Sequence, residues 1–250
     1  DITFTGANGT APYTFTYTLD GGANQTIVSN AAGTATLSLN TGTAGTYTYS
    51  LVSVQDASST ACSQTQTGST IVTILPAPGA AIVGTTSVCN GSTSPNITFT
   101  GNLGTTPYSF MYTINGGATQ TVTTTGVNSS ATVSVPTSPS GIYTYSLTGV
   151  QDANASACGA ASGGAVVTVE PMPTATAGGI ITICENSTAT VNGASFSTGT
   201  ILWTHNGSGT ITNGATTLTP TYTAAAGDAG NAVTLTMTVT STNSCAPQTT

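Results

Sequence analysis

GIYTYSLTGVQDA (residues 141–153) repeats the earlier stretch GTYTYSLVSVQDA (residues 45–57) with changes at only three of 13 positions. In both copies Tyr and Leu alternate with Thr and Ser, which places large apolar groups on one face and hydroxyls on the other. This alternation predicts a half-buried β-strand. Because the stretch occurs twice, it also indicates a repeated structural unit with this strand near its centre.

A second match sets the length of the repeat. Residues 1–26 align with residues 96–121 at an offset of 95, and 17 of the 26 positions are identical. One inserted residue raises the offset to 96, which then relates Cys62 to Cys158. A period of this size is too long for a solenoid turn and fits one immunoglobulin-like sandwich.

Proline-rich joints divide the chain into three predicted domains. LPAP (residues 75–78) and EPMP (residues 170–173) each follow a β-rich run, and proline there stops sheet pairing and stiffens the connection. We expect an N-terminally truncated immunoglobulin-like repeat at residues 1–76, a complete one at 77–171, and a divergent repeat at 172–250 that is either complete or truncated at its C-terminus.

The second repeat carries the strand predictions. Seven strands are expected, at residues 85–88, 97–100, 108–114, 120–124, 130–135, 142–150 and 165–170. Tyr108, Phe110 and Tyr112 should point into the core, and residues 233–240 alternate in the same way in the third repeat. The predicted fold class is all-β, with tandem immunoglobulin-like β-sandwich domains in a linear array.

The composition excludes several functions. The 250 residues contain no Lys or Arg, seven acids and one His, and only 3% are charged. Nucleic-acid binding is not expected because neutralising phosphates requires cations, and Lys/Arg salt bridges cannot stabilise the fold. Hydrophobic residues make up 38% of the chain in strict alternation, which favours packed domains over disorder. No apolar run reaches membrane-spanning length, so we expect no membrane insertion in this segment. Residue 1 is Asp rather than an initiator Met, which suggests a mature or excised segment.

The five cysteines predict one disulfide per repeat. Cys89 precedes the ITFTG strand and Cys158 follows the YTYSL strand, while Cys184 and Cys245 hold comparable positions in the third repeat. We therefore expect Cys89 to pair with Cys158 and Cys184 with Cys245, in an oxidising, extracellular compartment. The same register leaves Cys62 unpaired in this segment, with its partner about six residues before residue 1.

Few other residues are candidates for chemistry. His205 is the only imidazole, and an enzyme would need it in a cleft with an acid such as Asp228; we expect neither catalysis nor a cofactor. Trp203 lies between two cysteines in the sequence, as the core tryptophan of immunoglobulin domains does, which favours core packing. The alternative is that Trp203 is exposed and contacts a ligand by stacking on a sugar ring. Asp56 and Asp152 are better placed to cap turns than to bind Ca²⁺, because neither has a second acid nearby, so no metal is expected.

Two composite motifs resemble a known family. ITFTGxxGTxPYxFxYTxxGG, followed by GxYxYSLxxVQDA and Cys, is similar to immunoglobulin-like repeats of very large secreted surface proteins of Bacteroidota, such as adhesins of the gliding-motility type. In the third repeat, ILWTHNGSGTITNG and TVTSTNSC resemble the PKD-like modules found beside them. The resemblance implies type IX secretion, a C-terminal surface anchor, and roles in adhesion, gliding or biofilm.

These observations converge on a structural function. We expect a segment of an extracellular filamentous repeat protein on a bacterial cell surface, partnered by neighbouring repeats of the same chain and by surface polysaccharide or other fibres. The alternative is a carbohydrate-binding module array, which would need several coplanar exposed aromatics. The threonine-rich outward faces have two interpretations. One is an ordinary solvated surface, for which β-branched threonine is suited; the other is a flat array of hydroxyls that contacts polysaccharide or ice, which the twist of a sandwich disfavours.

Overall fold

The computed structural model describes residues 1–58, 60, 62–154, 158, 159, 161–246, 248 and 249, without the side chains of Cys158, Gln248 and Thr249. The chain divides into two compact units. One contains Asp1–Gly79, Asn102–Thr105 and Gln151–Gly159, and the other contains Ala80–Gly101, Thr106–Val150 and Ala160–Thr250. Three separate hydrophobic cores lie within the predicted repeats. The boundaries at residues 76/77 and 171/172 stay predictions.

The described residues of the first repeat form seven strands in two sheets. They are β1 (Ile2–Thr5), β2 (Thr14–Leu19), β3 (Gln25–Val28), β4 (Thr34–Leu37), β5 (Gly45–Gln55), β6 (Ser63–Thr65) and β7 (Ser69–Ile74). One sheet pairs β1 with β4, and the other has the order β3-β2-β5-β6, with β7 also paired to β5. β5 is the YTYSL strand, and it lies at the centre of its sheet as the alternation predicted.

The second repeat has two strands at its start that have no counterpart among the described strands of the first. Its strands are β8 (Gly79–Val83), β9 (Thr86–Cys89), β10 (Asn96–Asn102), β11 (Ser109–Ile114), β12 (Gln120–Thr123), β13 (Ser130–Ser134), β14 (Gly141–Gln151), β15 (Cys158–Gly159) and β16 (Gly163–Glu170). The sheets have the orders β13-β10-β8 and β12-β11-β14-β16-β9. All seven predicted strands are present, so the all-β sandwich prediction is confirmed.

The third repeat is built from shorter strands. They are β17 (Thr174–Thr176), β18 (Thr188–Thr190), β19 (Ser195–Ser197), β20 (Thr200–His205), β21 (Thr210–Asn213), β22 (Thr221–Thr223), β23 (Leu235–Thr240) and β24 (Gln248–Thr249), with one turn of 3-10 helix at Ala226–Asp228. The sheet orders are β17-β19, β18-β22-β21 and β20-β23-β24. Met237 and Val239 are fully buried, as their alternation with threonine predicted.

The second core explains why the repeat motif is retained. Phe99 and Phe110 are completely buried and their rings stack at 5.7 Å. Gly101 ends the ITFTG motif, and a Cβ there would lie 2.5 Å from the Tyr108 ring. Only glycine lets that ring lie against the strand. The Tyr143 hydroxyl donates to the Pro139 carbonyl at 2.9 Å, a bond of the tyrosine-corner kind found in immunoglobulin domains.

Hydroxyl pairs link strands on the outward faces. Thr190 and Thr221 share a hydrogen bond of 3.1 Å across β18 and β22, and Ser109 pairs with Thr123 at 3.0 Å across β11 and β12. Cross-strand pairs of this kind add a few tenths of a kcal/mol, up to about 1 kcal/mol each. In a chain without Lys or Arg, they occupy surface positions that ion pairs fill in other proteins.

Candidate functional site

A disulfide joins the second repeat to the third. Cys89 ends β9, and Cys245 follows β23 by five residues. Their Cα atoms are 5.6 Å apart and the S–S bond is 2.08 Å long. The predicted pairs Cys89–Cys158 and Cys184–Cys245 are therefore wrong. Cys184 is an exposed free thiol, and the Cys158 side chain lies outside the described residues.

The strand topology explains this pairing. β9 runs parallel to β16, with Cys89 opposite Glu170, the last residue of β16. Cys158 instead precedes Gly163, the first residue of that strand. Eight strand residues span about 26 Å, whereas disulfide-bonded Cα atoms lie about 4.4 to 6.8 Å apart. Cys89 therefore lies at the end of β16 opposite to the end that Cys158 precedes along the chain, and it bonds Cys245 instead.

Hydrogen bonds hold the Cys245 loop against the linker. Asn243 Nδ2 donates to the Pro171 carbonyl at 3.1 Å and to Glu170 Oε2 at 3.5 Å. Its Oδ1 accepts the Cys245 backbone N–H at 3.0 Å. Ser87 Oγ donates to the other Glu170 oxygen at 3.3 Å. The disulfide and Asn243 therefore clamp the same joint, which we call the stapled joint (residues 87–90, 170–171 and 241–245).

Two repeat-related aspartates cap loops. Asp152 Oδ2 accepts the Thr105 N–H at 2.8 Å and Asn154 Nδ2 at 2.7 Å, and Asp56 Oδ2 accepts the Thr10 N–H at 3.1 Å. Burial raises the pKa of Asp152, but these hydrogen bonds outweigh it and leave the pKa below its usual value. The capping interpretation is confirmed. Among the described residues, no three His, Cys, Asp or Glu side chains come together as metal ligands.

Asp228 organises a polar cluster that the sequence did not reveal. Its carboxylate accepts hydrogen bonds from the N–H groups of Ser208 at 2.6 Å, Gly209 at 3.1 Å and Ala225 at 3.0 Å. The Tyr222 hydroxyl donates to it at 2.7 Å. The Ala225 and Ser208 N–H groups and the Tyr222 hydroxyl lower the pKa of Asp228 to about 2. The cluster ties the turn after β20 to the 3-10 helix.

Replacing Asp228 with Asn should lower the melting temperature of the third repeat by several degrees at pH 7. A carboxyl whose folded pKa is depressed stabilises the fold above its unfolded pKa of about 3.9, so wild-type stability should fall between about pH 4 and pH 2. Asp228→Asn should lose this component of the acid dependence. Fluorescence of the single tryptophan, Trp203, reports the third repeat, and Glu185→Gln, at an exposed acid, is the matched control. An unchanged melting temperature for Asp228→Asn would contradict the role assigned to the cluster.

Trp203 belongs to the third core, and His205 lies against the Tyr222 ring. Trp203 is 3% exposed, and its indole N–H donates to the Thr217 carbonyl at 2.9 Å. The ligand-contact hypothesis for Trp203 is therefore wrong. His205 packs its ring on Tyr222 at 5.0 Å, and its Nδ1 atom is buried without a hydrogen-bond partner in the structure. Asp228 binds the hydroxyl of Tyr222, and no hydrogen bond joins Asp228 to His205 among the described residues.

The first repeat has a groove where the second has a closed core. A cavity of about 430 Å³ is lined by β1, β5 and β7, including Phe4, Tyr49 and Val72. In the second repeat, Ile82 and Val88 from β8 and β9 pack against the corresponding core. No strand of the described chain pairs with the second edge of β1. The groove is an uncovered sandwich interior rather than a shaped ligand cleft.

These features define a class: an all-β protein of tandem immunoglobulin-like sandwiches with a disulfide across one joint. No helix in the described residues is long and apolar enough to cross a membrane. No protein-family profile and no curated protein matches the chain.

Three solved structures are similar to this chain at low sequence identity. One concerns host cell surface retention of a 1.5-MDa bacterial ice-binding adhesin; it is 15% identical, with 99% of this chain and 86% of that one covered and a TM-score of 0.40. A tetra-tandem repeat from the extending region of a large adhesion protein is 18% identical, with 96% and 66% covered and a TM-score of 0.32. The BSP domain of a biofilm-associated protein is 20% identical, with 66% and 26% covered and a TM-score of 0.22. TM-scores below 0.5 do not define a common function.

Proposed function

We propose that this chain is a segment of an extracellular, surface-attached bacterial repeat protein, in which tandem sandwiches form the tension-bearing spacer of an adhesive fibre. The observation that carries the proposal is the disulfide across the stapled joint. Such a bond persists in oxidising compartments outside the cytosol. It also acts between repeats, where it contributes to the mechanics of the array rather than to one domain alone.

The disulfide changes how tension passes along the chain. Two covalent paths connect Cys89 to Cys245: 156 residues of backbone, or a single S–S bond. Under tension the shorter path carries the force, so residues 90–244 lie in a loop that is not stretched. Most of the second repeat and nearly all of the third are then protected from forced unfolding. A spacer that keeps its length under load is suited to holding a cell against flow.

The composition fits exposure outside the cell. The chain contains no Lys or Arg, so proteases that cleave after cationic residues find no site in it. Its outward faces are rich in hydroxyls, and its formal charge of -7 is spread over 250 residues, so repulsion between neighbouring fibres is weak. The partners we propose are neighbouring repeats of the same chain and surface polysaccharide or other fibres. Nucleic acid is not among them.

The sequence resemblance supplies the finer parts of the proposal. Motifs similar to gliding-motility adhesins point to export by the type IX system and to filaments that act in adhesion, gliding or biofilm. We include these as proposals, together with the PKD-like character of the third repeat. The enzyme alternative has no supporting geometry, because His205 and Asp228 are engaged separately.

The carbohydrate-binding alternative also lacks a supporting surface. All 15 aromatic residues are described, and of these only Phe196, at 37% exposure, has more than about a third of its surface exposed. A sugar-binding platform of several coplanar rings is not formed by this arrangement.

Deletion of residues 77–250 from the encoding gene tests the proposal in cells. Antibodies raised against the 250-residue protein should label intact wild-type cells, and the deletion strain should detach at a several-fold lower flow rate. Labelling only after cell lysis would contradict the surface location. Equal attachment of both strains under flow would contradict the mechanical role, and retained labelling of the remaining repeat is the control for export.

A further inference from the structure

The cysteines fall into two classes by their position in the repeat. Cys89 and Cys184, the start-class cysteines, are related by the repeat offset of 95. Each begins the same turn: the Ser92 N–H donates to the Cys89 carbonyl at 3.0 Å, and the Ser187 N–H donates to the Cys184 carbonyl at 3.1 Å. Position 91 or 186 of that turn has a positive φ, 77° or 57°. The turn that begins at Cys184 therefore matches the turn that begins at Cys89, although Cys89 ends β9 and Cys184 lies outside the strands.

Cys62, Cys158 and Cys245 are the end-class cysteines. They follow β5, β14 and β23, the corresponding strands of the three repeats. In the third repeat, Asn243 fixes the Cys245 loop to Pro171, so the end-class cysteine lies where the chain comes in from the previous repeat. Cys89 lies opposite Glu170, where the chain leaves its repeat. The observed bond thus joins the outgoing end of one repeat to the incoming end of the next.

Two exposed thiols have the same positions without the bond. Cys184 is a start-class cysteine and Cys62 is an end-class cysteine, and both are exposed and free. The repeat equivalent of each, Cys89 for Cys184 and Cys245 for Cys62, is disulfide-bonded in this same chain.

We propose that Cys184 is a disulfide-bonding site for the end-class cysteine of a following sandwich repeat, and Cys62 for the start-class cysteine of a preceding one. The partner of each is another repeat of this kind. Every joint is then stapled as the joint between the second and third repeats is. The inference rests on repeat register and topology, so it stands even if the segment has no adhesive role.

The chemistry is ordinary thiol–disulfide exchange. One cysteine thiolate attacks a small disulfide oxidant such as oxidised glutathione, giving a protein–glutathione mixed disulfide and releasing one glutathione thiolate. The partner thiolate then attacks the protein sulfur, forms the Cys–Cys bond and releases the second glutathione thiolate. Two protein thiols lose two electrons and two protons in total, and one glutathione disulfide is reduced to two thiols.

Two single-thiol proteins test the pairing. Both carry the full 250 residues and Cys158→Ser; one adds Cys62→Ser and keeps Cys184, and the other adds Cys184→Ser and keeps Cys62. The protein that keeps Cys184 is converted at that residue to a mixed disulfide with thionitrobenzoate. It is then mixed with either of the two single-thiol proteins in its free-thiol form. Release of coloured thionitrobenzoate gives the exchange rate, normalised by the rate at which each thiol reacts with free dithiobis-nitrobenzoate.

Docking in the register of the stapled joint should make Cys62 attack Cys184 at least about tenfold faster than Cys184 attacks itself. A normalised ratio near one would overturn the proposal. Mass spectrometry of the intact Cys89–Cys245 bond shows that each variant is folded. As a second measurement, the wild-type protein oxidised with glutathione disulfide should give multimers linked from Cys184 to an end-class cysteine. Multimers linked mainly through Cys184–Cys184 bonds would also overturn it.

Discussion

Replacing Tyr145 with Ala should lower the unfolding free energy of the second repeat by about 3 to 5 kcal/mol, the range for truncating a fully buried aromatic side chain. Tyr145 is 1% exposed, and its ring lies 6.1 Å from that of Tyr112. Ala165 and Val167 of β16 are also buried in this core. The cavity left by the ring cannot collapse without disturbing the neighbouring strands β11 and β16.

Tyr49→Ala is the matched comparison, since Tyr49 has the same place in the identical sequence YTYSL. Tyr49 is only half-buried and lines the open groove of the first repeat. Removing its ring enlarges a space that water already enters, so we expect a loss of about 1 to 2 kcal/mol. Both substitutions remove the same side chain. The difference between their losses of unfolding free energy therefore measures how much β8 and β9 stabilise the second repeat by covering its core.

Hydrogen exchange resolves the two repeats in one sample. Pepsin cleaves a chain without Lys or Arg, and amides of β5 and β14 report the local stability of each repeat. The amides of β14 should lose several hundred-fold in protection on Tyr145→Ala, while those of β5 lose about tenfold on Tyr49→Ala. Equal losses would mean that the second core is no better covered than the first.

The strands were predictable because the signal is local. Alternation over residues 108–114 and 141–151 states which side chains face inward, and the structure buries Tyr108, Phe110, Tyr112 and Tyr145 accordingly. β8 was missed because GAAIV has small and apolar residues without polar alternation, and it directly follows a proline-rich joint. A strand without alternating polar and apolar residues lacks the period of two by which a strand is detected in a sequence.

The disulfide and the Asp228 cluster were not predictable for a different reason. Sequence register relates Cys89 to Cys184, but it does not state at which end of the sandwich either lies. That depends on the parallel pairing of β9 with β16, a contact between residues about 80 positions apart. Asp228 likewise gathers donors from residues 208–225, whose approach depends on the turn after β20. Both sites are consequences of topology rather than of spacing.

Pulling the 250-residue protein by terminal tags should show a large effect of the disulfide on extension. With the Cys89–Cys245 bond intact, 156 residues are bypassed, and full unfolding extends the remaining chain to about 340 Å at about 3.6 Å per residue. Cys89→Ser should add about 560 Å. Force spectroscopy measures this gain as contour length. A Cys89→Ser protein that extends no further than wild type would contradict the bypass.

Cys184→Ser is the control that separates the observed pairing from the one predicted by register. Cys184 has no disulfide in the structure, so its substitution should leave the contour length unchanged. A Cys184–Cys245 bond would span 61 positions of the sequence and exclude them from the extension. Cys184→Ser would then add about 220 Å to the contour length. The two variants therefore distinguish a bond within the third repeat from a bond across the joint. Only a bond across the joint removes most of two repeats from the path of the force.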